Sequence, residues 1–168
     1  INLTWMLSAS NPVVMAQLYP TILPSASRAI TSDPWQCATE NMTSLFMPLT
    51  PSGVLLDALV SHGEVLLDEY CPRTQAVCLF PAYSKWCSFT HTAPTSVLSE
   101  YRSYGSVANA WLAARSSTMV ELAEGCPNYW YKAINQVFLA ENRINNTIAM
   151  AECYAAAQNA PVSSTASS

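Results

Sequence analysis

Lysine is nearly absent from this chain: Lys85 and Lys132 are the only two, and with five arginines against eleven acids the formal net charge is −4. Charged residues make up 11% of the 168 positions, against roughly a quarter in an ordinary globular domain. Phosphate recognition needs several clustered cations, so nucleic acid is not an expected partner. Glycine is scarce too, at four residues. No phosphate-cradling glycine loop, Gly-x-Ser-x-Gly or His-Glu-x-x-His occurs, so the common catalytic motifs are missing. No apolar run approaches the roughly 18 residues of a spanning helix, and no transmembrane segment is expected. Cys-x-x-Cys is lacking as well. The two histidines, His62 and His91, stand far from any zinc spacing. Six scattered methionines do not suggest copper. No metal and no other cofactor is expected.

What the chain does have is apolar mass. Hydrophobic residues make up 51%, with five tryptophans and eight tyrosines, enough ring area to build a folded core. Six cysteines, Cys37, Cys71, Cys78, Cys87, Cys126 and Cys153, form an even, widely spaced set that reads as three disulfides made in an oxidising compartment. Sequons at Asn2, Asn41 and Asn145 agree with that compartment and are the expected glycosylation sites. The first residue is Ile1 rather than methionine, as expected if a signal peptide had been removed or the chain trimmed. Secretion is the expectation.

Residues 1–32 carry one charge, Arg28, and are interrupted by Pro12, Pro20 and Pro24, which forbid one continuous helix. An irregular apolar arm follows from this. It packs across its own domain or covers a partner, since so apolar a segment is poorly solvated. A helix is expected over 50–70, with Thr50 as N-cap, Pro51 in the first turn and Cys71-Pro72 as its stop. Leu55, Leu59 and Leu66, joined by Leu56, Val60 and Leu67, form its inward side; Asp57, Ser61, Glu64 and Asp68 form the other. Gly63 marks a close approach by a neighbour. Residues 71–95, with three cysteines and three prolines, read as a stapled loop.

A short helix is expected over 96–104, broken or bent at Gly105. A long one follows over 106–124, striped by Val107, Trp111, Ala114, Thr118 and Leu122 and ended by Gly125 and Pro127. Another short helix is expected over 127–137 and a last long one over 142–158, the latter facing inward through Ile144, Ile148, Ala151, Tyr154 and Ala155. The fold class is therefore all-α: a disulfide-stapled bundle of three main helices with short ones between. Its expected organisation is an arm at 1–32, a helical domain at 33–158 and a Ser/Thr-rich tail at 159–168. If the three long helices alternate in direction, Cys37 and Cys126 share one end. That predicts a Cys37–Cys126 bond and Cys153 bonded to Cys71, Cys78 or Cys87, among fifteen formal pairings.

Few residues suggest chemistry. His62, at the edge of the first helix's stripe, reads as a boundary histidine with one ring nitrogen satisfied, and His91 as a surface imidazole. Asp57, Glu64 and Asp68, like Glu121 and Glu124, read as solvated faces rather than a glycosidase pair. The aromatic group Trp86, Phe89, Trp111, Tyr129, Trp130 and Tyr131 is a candidate ligand or partner surface, with core packing as the plainer alternative.

Five segments carry a resemblance: Asp33-Pro34-Trp35-Gln36-Cys37-Ala38-Thr39-Glu40, Trp86-Cys87-Ser88-Phe89-Thr90, Tyr104-Gly105-Ser106, Cys126-Pro127-Asn128-Tyr129-Trp130-Tyr131 and Asn146-Thr147-Ile148-Ala149-Met150-Ala151-Glu152-Cys153. Over roughly 33–155 the chain resembles an uncharacterised family of secreted, Cys-containing fungal proteins, some labelled infection-structure-specific and others surface-anchored. The resemblance implies a fungal, extracellular protein tethered to wall or membrane, and it carries no catalytic residue. The Ser/Thr tail fits a stalk leading to a lipid-anchor signal. The expected function is non-enzymatic: a secreted cell-surface or wall-associated structural or interaction protein, self-associating through its arm. The alternative is an extracellular carrier of small apolar ligands, lipid or sterol, in a helical-bundle pocket.

Overall fold

The computed structural model describes residues 19–27, 32–71, 74–76 and 78–160. Among these residues every regular element is helical and no strand occurs. The α-helices are α1 (Gly53–Tyr70), α2 (Tyr83–Trp86), α3 (Phe89–Thr92), α4 (Leu98–Gly125), α5 (Pro127–Gln136) and α6 (Ala140–Asn159), with 3-10 turns at Trp35–Thr39, Thr43–Phe46 and Thr95–Val97. Three disulfides staple them: Cys37–Cys126, Cys71–Cys78 and Cys87–Cys153, with Cα separations of 5.7, 5.6 and 5.0 Å. The chain is a disulfide-stapled, all-α protein. It divides into two compact units, one drawn from 1–48 and 111–144, the other from 49–110 and 145–168.

In the first unit, part of the expected arm is built into the core. Residues 19–22 are helical, and Ile22 is fully buried. The Trp130 indole N–H donates to the Ile22 carbonyl at 3.0 Å, and the Trp130 ring packs on Phe46 with centroids 4.8 Å apart. The N-terminus of α5 has no capping side chain of its own, only Pro127 in its first turn. Asp33 supplies the cap from far along the sequence: its carboxylate accepts from the Asn128 N–H at 3.2 Å and the Tyr129 N–H at 2.7 Å. A carboxylate is favoured there because it satisfies free N–H groups at the positive end of the helix dipole. The expectations for residues 1–18, 28–31 and 161–168, including the Asn2 sequon, lie outside the described residues.

In the second unit, α1 starts at Gly53, with Ser52 as N-cap, rather than at Thr50. Gly53 sits at φ 57°, in the left-handed region that glycine enters without penalty. The buried stripe of α1 is Leu55, Leu59, His62, Gly63 and Leu66. Leu56, Val60 and Leu67, expected inside, are instead exposed. The expected close approach at Gly63 is made by a side chain: a Cβ there would lie 2.8 Å from the Trp86 ring. Trp86 in turn stacks on Phe80 at 5.3 Å. The expected loop over 71–95 contains α2 and α3, each a single turn.

Gly105 neither breaks nor bends α4, which runs unbroken across it. Its missing side chain serves packing, since a Cβ there would lie 3.1 Å from Tyr154 Cβ and 3.5 Å from the Met150 carbonyl. The buried positions of α4 are Tyr101, Gly105, Ala108, Leu112, Met119 and Ala123. The expected stripe of Val107, Trp111, Thr118 and Leu122 is thus displaced by one residue, about 100° around the helix. From Asn145 to Cys153, α6 is buried at every position but Asn146 and Glu152. A helix covered on nearly all sides is a core helix.

Disulfide loops of such different size give different stabilities. Replacing Cys37 and Cys126 by serine, 89 residues apart, is expected to lower unfolding free energy by about 4–5 kcal/mol. The same change at Cys71 and Cys78, 7 residues apart, costs about 2–3 kcal/mol. Gly63→Val forces the Trp86 ring out of place and costs a further ~1–3 kcal/mol. Urea denaturation of the three variants checks these values.

Candidate functional site

His62 lies deeper than a boundary position, at 8% exposed. Its ring is edge-on to Trp86 and Phe89, at 6.0 and 5.5 Å between centroids. The Ser88 hydroxyl lies 3.4 Å from Nε2 and the Thr92 hydroxyl 3.4 Å from Nδ1. Ser88 spends its proton on the Lys85 carbonyl at 2.7 Å, so it can only accept from the imidazole. That assigns the Nε2–H tautomer, and the Thr92 hydroxyl has two acceptors at 3.4 Å, Nδ1 and the Phe89 carbonyl. In a nucleophile–base pair the imidazole instead takes the serine's proton, so this Ser–His contact has the opposite polarity. His62 clamps α1 to the Ser88–Thr92 turn. Burial pushes its pKa below 6.5, opposed by a hydrogen bond to the Lys85 carbonyl.

The six aromatic residues named as a candidate surface are not brought together. Trp86 and Phe89 are buried in the second unit, within a run of rings from Phe80 through Trp86, His62 and Phe89 to Tyr101. Trp130 is buried in the first unit. These three offer no surface, because each fills core that its neighbours leave. Trp111 is half-buried beneath the Arg115 guanidinium, 5.7 Å from its ring. Tyr129 is exposed and Tyr131 half-buried on α5.

Among the described residues each unit carries a cleft. In the first unit a polar hollow of about 210 Å³ is lined by Glu40, Asn41, Thr43, Tyr129, Lys132 and Gln136. Asn41 is exposed there, and its side-chain carbonyl accepts from the Thr43 N–H at 3.2 Å. By contrast, the Asn145 sequon lies within α6, buried, with Oδ1 accepting from the Tyr83 hydroxyl at 2.7 Å. A glycan has no room at that amide in the folded chain.

In the second unit a cleft of about 390 Å³ runs beside the Cys87–Cys153 disulfide. Tyr101, Met150, Tyr154, Ala156 and Ala157 make it largely apolar, and Arg102 is the one charged residue lining it. Nothing in the sequence flagged this cleft, because its walls are alanines and the small face around Gly105. Burial pushes the Tyr101 hydroxyl up to about 12, which keeps it a proton donor. Among the described residues that hydroxyl, like the Trp86 indole N–H, is buried without a hydrogen-bond partner. Among the described residues no group of three or more metal-ligating side chains occurs, and no helix is long and apolar enough to cross a membrane.

A histidine whose folded pKa lies below its unfolded value contributes stability above pH 6.5 and loses it as pH falls toward the folded value. Wild-type stability is therefore expected to fall as pH drops below 6.5. His62→Gln removes that component while leaving the rest of the acid limb. Thermal denaturation of both proteins between pH 4 and 8 gives the comparison; parallel profiles would contradict it.

No curated protein and no solved structure matches the chain. Residues 22–163, most of the chain, match the family described as Domain of unknown function (DUF7735), and to that family the chain belongs.

Proposed function

We propose that this is a non-enzymatic extracellular protein of the secreted fungal kind its segments resemble, held at the cell surface or wall and acting by contact with a partner. The observation that carries this reading is the outer side of α1. Leu56, Val60 and Leu67 are 40%, 52% and 41% exposed, spaced so that they fall on one side of the helix. Tyr70 extends that side, while Val54 and Val65 are exposed on the opposite one. Contiguous apolar area of this kind marks a contact surface, and in so uncharged a chain the expected partner is a second copy. Three disulfides and the exposed Asn41 sequon fit an oxidising, glycosylating compartment.

A second reading, carriage of small apolar ligands, is favoured by the 390 Å³ cleft of the second unit, which falls within the usual size of ligand pockets.

Sedimentation velocity of the full chain separates the surfaces for self-contact. Wild type is expected as a dimer or larger, and Leu56→Lys with Val60→Lys as a monomer. Deleting residues 1–18 tests the arm in the same way. A wild type that stays monomeric at tens of micromolar would overturn self-association. Expressed in a secreting, glycosylating host, the protein should lose one glycan mass on Asn41→Gln and none on Asn145→Gln. Detection of the native protein only inside cells would overturn the extracellular placement.

A further inference from the structure

The cleft in the second unit has a chemical polarity that a general apolar pocket lacks. One wall is the Cys87–Cys153 disulfide, and Met150, Tyr154 and Ala157 supply apolar surface. Polar groups interrupt it at Thr90, Tyr101, Arg102 and Gln158, and Tyr101 and Arg102 are neighbours in α4. Arg102 is exposed, is the one charged group of the lining, and has no ion-pair partner among the described residues. Tyr101, 7% exposed, carries a buried hydroxyl with no acceptor. Leaving a buried donor unpaired is costly, and a guanidinium is shaped to hold a carboxylate through two parallel N–H groups. A neutral lipid or sterol can accept a hydrogen bond through its oxygen but leaves the guanidinium charge unmatched. No carboxylate lines the cleft to oppose an anion.

We infer that this cleft binds a small amphipathic carboxylate, a fatty acid being the simplest, with its carboxylate on Arg102, an oxygen accepting from the Tyr101 hydroxyl, and its apolar chain along Met150, Tyr154 and Ala157. The inference rests on the carrier reading and makes it more specific: the site selects an anionic head as well as an apolar tail. The disulfide between Cys87 and Cys153 keeps its two walls in register, so little ordering is left to occur on binding.

The test uses the full, disulfide-intact chain and two probes of equal chain length, decanoate and 1-decanol, titrated calorimetrically. Decanoate is expected to bind wild type more tightly than decanol. Arg102→Gln, an exposed substitution that leaves the core alone, should weaken decanoate about tenfold and leave decanol unchanged. Tyr101→Phe should weaken decanoate by a smaller factor, and Ala157→Trp, which fills the cleft, should abolish both. Equal binding of the two probes, unaffected by Arg102→Gln, would overturn the selection of an anion while leaving the carrier reading standing. Binding that survives Ala157→Trp would overturn the placement. No binding of either probe to wild type would overturn both the inference and the carrier reading.

Discussion

Residues 145–153 of α6 impose the constraint on which the second unit depends: a helix segment enclosed on nearly every side must have each of its polar groups answered from within. Asn145 and Thr147 are the two that are buried. Asn145 accepts from Tyr83, and Thr147 shares a hydrogen bond with Tyr104, whose own hydroxyl is pushed up by burial. Those two contacts, with the Cys87–Cys153 bond, fix the α2–α3 segment and the beginning of α4 against the helix. Gly105 completes the arrangement by removing a Cβ that Tyr154 would otherwise meet. The cleft is the hollow left where the side chains around that approach are small.

The first unit solves a different problem with the same poverty of charge. The α5 N-terminus is closed by a proline and by Cys126, neither of which caps. One of the eleven acids, Asp33, is brought there across 95 residues of sequence. The Cys37–Cys126 bond anchors the same neighbourhood covalently. Cap and disulfide reinforce one another, because each holds the 33–37 segment where the other needs it. The Trp130 hydrogen bond to Ile22 then draws in the stretch around Tyr19–Ile22.

Much of this was legible in the sequence. The three long helices followed from periodicity and from Gly125 and Pro127, and a simple argument about helix direction led to Cys37–Cys126. It also put Cys153 against the stapled loop. The faces were harder to read. In α4, Val107 and Ala108, or Trp111 and Leu112, are both apolar, so spacing alone could not choose between adjacent stripes, and the bulkier residues misled. In α1 the apolar arc is wider than the buried one, which left Leu56, Val60 and Leu67 outside. Gly105 read as a break because glycine weakens helices, whereas here a neighbour's approach requires it. The Asp33 cap and the cleft depend on residues distant in sequence, and no local pattern announces them. An α5 start with Pro127 and no capping side chain was the only hint.

The disulfide pattern also dictates an order of events in the making of the chain. Cys37–Cys126 and Cys87–Cys153 are interleaved rather than nested, while Cys71–Cys78 closes within a few residues. A ribosome delivers Cys37, Cys71, Cys78 and Cys87 well before either Cys126 or Cys153. Until Cys126 emerges, two of the first four thiols have no correct partner, and they can join only each other or the local pair. Such mispairings are undone by thiolate attack on the mispaired disulfide, which passes through a mixed disulfide and releases one cysteine as thiolate, over seconds to hours. The interleaved pairing therefore leaves Cys37 and Cys87 open to mispairing until Cys126 and Cys153 arrive, and thiol–disulfide exchange is the route from any such mispair to the native set.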